Sequence, residues 1–60
     1  MNFKIGQTVR FKSDIEQRGT IVEIENRDGN LLLTLEAKDR FAGDYIGGMK
    51  RTQIFADEAF

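Results

Sequence analysis

Along residues 7–12 the apolar Val9 and Phe11 alternate with the polar Thr8, Arg10 and Lys12. That is the period of two of a half-buried strand, whose successive side chains leave opposite faces of the backbone. A first strand is expected there. Residues 13–18, Ser-Asp-Ile-Glu-Gln-Arg, are mostly polar and lead into Gly19, so they read as a loop ending at a residue that tolerates positive φ or close backbone approach. Thr20 to Glu25 is rich in β-branched residues, and Asp28-Gly29 follows within the polar run Asn26 to Asn30. An Asp-Gly pair supplies the positive φ angles of a tight hairpin turn. Beyond it Leu31, Leu33 and Leu35 alternate with Leu32, Thr34 and Glu36, so residues 19–36 are predicted to form a hairpin.

The remainder has a different texture. Gly43, Gly47 and Gly48 lie among charged and aromatic residues between Ala37 and Gly48, a composition that disfavours the interiors of helices and strands and predicts a long surface loop. Residues 50–55 return to a strand pattern, and residues 56–60 have room for one short helical turn that docks Phe60 against a barrel. Four or five short strands without an amphipathic helix predict an all-β fold, a small barrel or an open sheet. The expected core is Val9, Phe11, Ile24, Leu31, Leu33 and Phe55.

Length and charge narrow the picture. Sixty residues, read as a single domain over 1–60 with no linker or repeat, bury only about 60% of the surface that the unfolded chain exposes, so stability is marginal. No cysteine is present to add a disulfide or a thiolate metal cluster, which leaves self-association as a further source of stability. The longest apolar run, Leu31 to Leu33, is far short of the roughly 20 residues of a membrane-spanning helix. The opening MNFKIGQTV lacks the apolar stretch and cleavage site of a secretory signal, and a cytoplasmic location without membrane contact is expected. Nine basic against ten acidic side chains give a net charge of -1, so no global field draws the chain to nucleic acid. Residues 1–12 nonetheless carry Lys4, Arg10 and Lys12 without an acid, a local basic edge.

The first third resembles known domains. Phe3-Lys4-Ile5-Gly6-Gln7-Thr8-Val9-Arg10, a polar loop, and then Gly19-Thr20-Ile21-Val22-Glu23-Ile24 resemble the opening of SH3-like β-barrels of the KOW type. The resemblance implies a small SH3-like barrel of four to five short strands with a terminal helical turn, on a scaffold that binds RNA or protein surfaces. Phe3, Gly6, Val9, Arg10, Lys12, Ser13, Gly19, Ile21 and Val22, with Gln53-Ile54 in the last strand, also resemble the plasmid-borne type II dihydrofolate reductases. In that family four SH3-like chains surround one central pore. Here Phe55 stands at the family's pore tyrosine, Phe11 at its phosphate-contacting lysine and Gln17 at its interface tryptophan, and the loop before Gln53 is longer. The resemblance therefore implies a shared scaffold rather than a shared activity.

Candidate chemistry is sparse. With no histidine and no cysteine, the commonest general base, the common nucleophile–base pairs and the usual zinc ligands are missing. The pairs Asp14/Glu16 and Asp57/Glu58 read as solvated surface acids, and no metal site or cofactor is expected. The segment Gly43 to Lys50 superficially resembles a phosphate-binding loop, but Met49 occupies the lysine position and no helix follows. The same region collects Asp39, Arg40, Phe41, Asp44 and Tyr45, and aromatic and arginine side chains on mobile loops are frequent binding hot spots. These five form the expected partner-binding site of a non-catalytic module for protein–protein interaction, able to self-associate. The alternatives are a nucleic-acid-binding barrel using Lys4, Arg10, Lys12, Lys50 and Arg51 from the first and last strands, and a reductase-like tetramer.

Overall fold

The computed structural model describes residues 2–60. Four strands follow in chain order, β1 (Thr8–Phe11), β2 (Asp14–Arg27), β3 (Asn30–Glu36) and β4 (Arg51–Phe55), before one 3-10 turn, Ala56–Glu58. They form a single antiparallel sheet in the order β1-β2-β3-β4. The all-β expectation therefore holds. The closed barrel does not, because β1 and β4 remain opposite edges of an open sheet.

What would have been the closing strand is only a bridge. After the 3-10 turn the chain crosses to the free edge of β1, where the Lys12 amide donates to the Glu58 carbonyl at 2.9 Å and Arg10 and Phe60 exchange two hydrogen bonds at 2.8 and 3.0 Å. Phe11 faces Ala59 as an isolated antiparallel pair.

The hairpin turns where expected. Arg27 pairs with Asn30 across Asp28 and Gly29, at φ 54° and 86°, the two successive positive φ values of a primed turn whose twist matches the strands. The Asn26 side-chain oxygen accepts from the Gly29 amide at 3.0 Å. Polar composition misleads only over residues 13–18, where β2 already begins at Asp14 and pairs Phe11 with Asp14 and Arg10 with Arg18. Residues 14–16 are exposed on both faces of the strand, so this arm needs no apolar alternation. Gly19 is buried there between strands. A Cβ on it would come within 3.1 Å of Leu35 Cβ and 3.2 Å of the Glu36 carbonyl, so it serves close approach rather than positive φ.

Val9, Ile21, Leu33, Leu35, Ile54 and Ala59 form the core, with Phe3, Phe11, Ile24 and Ala56 packed partly buried against it. Three expectations need correction. Phe55 is 41% exposed while its neighbour Ile54 is buried, a one-residue difference that puts Phe55 on the opposite face, beside Leu32. Leu31, at the strand end next to the turn, is only half-buried, whereas Leu32 is buried. Phe60 is 46% exposed, and it is Ala59 that docks. A shift in register at Val22, where Ile21 pairs with Leu35 and Glu23 with Thr34, bends β2 as β-bulges do.

Candidate functional site

The connection between β3 and β4 is irregular, as expected, but it is built around buried side chains. Ile46 is fully buried and Asp44 is 6% exposed. One carboxylate oxygen of Asp44 accepts from the Thr20 hydroxyl at 2.9 Å and from the Asp39 amide at 3.0 Å, and the Asp44 amide donates to the Asp39 carbonyl at 3.0 Å. Asp39 in turn accepts from the Ala42 amide at 3.0 Å, and the Arg40 carbonyl accepts from the Gly43 amide at 3.1 Å. Such a set satisfies the buried polar groups of a loop that has no ladder to pair them. Asp44 therefore belongs to the scaffold of this loop and not to its contact surface.

What the scaffold presents is exposed. Phe41 has no shielding neighbour, Tyr45 is 54% exposed, and Arg40 and Asp39 are exposed beside them. The loop is tied to the sheet where Arg18 and Tyr45 exchange backbone hydrogen bonds, both 2.9 Å. A second tight turn follows, with the Met49 amide donating to the Ile46 carbonyl at 3.2 Å and Gly47 and Gly48 at φ 66° and 81°.

The basic residues fall into separate groups. Arg10 is exposed on β1, Lys12 lies in the turn that follows it, and Lys4 precedes it in the turn where the Gln7 amide donates to the Lys4 carbonyl at 3.1 Å. Lys50 and Arg51 belong to the other edge of the sheet, and Arg51 is paired with Glu36 across β3 and β4. The five cations expected from the first and last strands thus do not form one strip.

Two side chains missed in the sequence join the picture. Arg18 pairs with Arg10 on one side and Tyr45 on the other, and its guanidinium lies so close over Gly43 that a Cβ there would collide with it. Phe60 pairs with Arg10 through the backbone. Paired residues of an antiparallel sheet share a face, and the neighbouring side chains of Val9, Ile46 and Ala59 point inward, with Gly19 buried beside them. Phe60, Arg10, Arg18 and Tyr45 therefore form one outward row. The alternation of β1 placed Arg10 outward, but the partnership with Arg18 depends on a long-range register that no local pattern encodes.

A depression lined by Asn30, Phe55, Asp57 and Glu58 has a volume of about 210 Å³, below the roughly 300–1,000 Å³ typical of small-molecule sites. Among the described residues no group of three acidic side chains is placed to hold a metal ion, and no helix is long and apolar enough to cross a membrane. Of the residues matching the reductase pattern, Ile54 is in the core, while Gln53 is exposed and donates to the Thr34 hydroxyl at 3.2 Å. Comparison with protein-family profiles, with curated proteins and with solved structures found no significant match.

Proposed function

We propose that the protein is a non-catalytic protein-binding module that makes its contact through the loop of residues 39–45. The observation that carries this reading is the contrast within the loop: a buried, doubly hydrogen-bonded Asp44 fixes the backbone while Phe41 is left wholly exposed. A large apolar side chain held in water on a preordered loop gives up little conformational freedom on binding, which is the usual economy of an aromatic anchor. The SH3-like, KOW-type kinship expected from residues 3–24 agrees with the four-stranded antiparallel meander and with the turn that returns residues 58–60 to β1.

Affinity capture from the native cell tests this, comparing the wild-type chain with the double variant Arg40→Ala, Phe41→Ala, each with and without nuclease. The expected result is a protein retained by the wild type, insensitive to nuclease, and lost from the variant, with a binding deficit of about 2 kcal/mol or more as for other hot-spot residues. Retention that nuclease abolishes would replace this reading with nucleic-acid binding through Lys4, Arg10 and Lys12.

A further inference from the structure

The outward row Phe60–Arg10–Arg18–Tyr45 contains an arrangement that the isolated fold disfavours. Arg10 spends its backbone hydrogen bonds on Phe60 and Arg18 spends its own on Tyr45, so the paired arginines exchange none with each other. In an antiparallel sheet that is the closer kind of pair, with Cα atoms about 4.5 Å apart, and like charges directly opposite are destabilising. The two other arginines on strands are neutralised: Arg27 lies 2.8 Å from Glu25, and Arg51 is paired with Glu36. Neither Arg10 nor Arg18 has a carboxylate within ion-pair distance among the described residues. An exposed aromatic stands at each end of the pair, Phe60 at 46% and Tyr45 at 54% exposure. Arg18 is also held in place against Gly43, whose φ of 99° and lack of a side chain make the space for its guanidinium.

Resting on the protein-binding reading above, we infer that this row is a docking site for an acidic, extended segment of a partner protein, whose carboxylates lie between Arg10 and Arg18 and whose apolar neighbours cover Tyr45 and Phe60. Guanidinium groups bind carboxylates through paired, charge-assisted hydrogen bonds, and an anion placed there removes the mutual repulsion of the two cations. Charge elsewhere on the chain favours a short acidic segment over a polyanion. A nucleic-acid strand running on from the row would meet Asp57 and Glu58 beside Phe60, while Lys50 and Arg51 lie at the other edge of the sheet. The row spans three strand spacings, or about 14 Å at roughly 4.8 Å each, the length of a few extended residues.

The test uses the full chain and a fluorescein-labelled peptide with a Glu-Glu pair between leucines. Its controls are the same peptide with Gln for Glu and a single-stranded oligonucleotide of equal charge. The expected result is binding of the acidic peptide at least tenfold tighter than its Gln counterpart, and at least tenfold loss in each of Arg10→Gln and Arg18→Gln. The thermal midpoint of Arg10→Gln should equal or exceed that of the wild type, because the substitution removes a repulsion and no ion pair. Equal affinity for the two peptides, unaltered binding by the arginine variants, a lowered midpoint in Arg10→Gln, or tighter binding of the oligonucleotide overturns the inference. Any of these results combined with partner capture that still depends on Arg40 and Phe41 leaves the protein-binding reading standing without this site. Capture that does not depend on those two residues removes the loop reading instead.

Discussion

The hairpin of β2 and β3 and the connection from Ala37 to Lys50 are built by opposite means. In the hairpin, backbone pairing runs from Thr20↔Glu36 to Arg27↔Asn30, and side chains add a buried face of Ile21, Leu33 and Leu35. The connection has the isolated bridges Arg18↔Tyr45 and Ile46↔Met49 and one backbone hydrogen bond from Ala37 to Lys50, and takes its order from Ile46 and the Asp44 carboxylate. The lesson is that glycine content and absence of ladder do not make a segment loose. A single buried acceptor with two donors does locally what a strand pair does by repetition, and it leaves Arg40, Phe41 and Tyr45 free to face outward.

The two regions should therefore fail differently when their anchors are removed. Leu33 is fully buried at the centre of β3, and Leu33→Ala should cost about 2–5 kcal/mol in denaturant unfolding, enough to unfold most of a domain this small. An unchanged unfolding midpoint would mean that Leu33 does not support the core. Asp44→Ala strands the Thr20 hydroxyl and the Asp39 amide, at about 1.5–3 kcal/mol for a hydrogen bond to a charged group, yet it leaves the hairpin ladder untouched. Hydrogen exchange should report the loss first at the amides of Asp39, Ala42 and Gly43, with β3 protected. Asp44→Asn keeps an oxygen in the accepting position and should cost less than the alanine variant. Equal costs for the two would place the energy in the charge rather than in the two hydrogen bonds.

How far each region was legible in sequence follows from the same contrast. The hairpin, its turn and the strand at 51–55 are written in alternation and in Asp-Gly, which act over a few residues. The parity of β4 is not legible at Phe55 because Ile54 and Phe55 are both apolar, and only pairing with Leu33 and Leu32 decides which of them faces inward. The candidate site was legible in part. Arg40, Phe41 and Tyr45 are exposed as expected, but Asp44 looked like a surface acid because nothing local reveals that Thr20, 24 residues away, supplies a donor. Arg18 is not legible for a related reason: a polar stretch gives no sign that it will be a strand, and its neighbours Arg10 and Tyr45 are set by register and topology.

The smallest expected effect compares the two turns directly. Gly29, in the hairpin, and Gly48, in the connection, have φ of 86° and 81°, and at both a Cβ would meet open space. Each follows another residue of positive φ, Asp28 and Gly47 respectively, and each closes a two-residue turn. Clash is thus absent from both sites, and substitution by alanine measures backbone strain alone, about 1–2 kcal/mol for an L-residue held in the left-handed region. Gly29→Ala and Gly48→Ala should lower unfolding stability by equal amounts within a few tenths of a kcal/mol, if the connection holds its turn as firmly as the hairpin does. A normal cost at Gly29 with almost none at Gly48 would show that the second turn relaxes to accommodate the side chain. The order attributed to the connection would then stop at Ile46, and the platform beneath Phe41 and Tyr45 would rest on the Asp39–Asp44 hydrogen bonds and the Arg18–Tyr45 backbone pair.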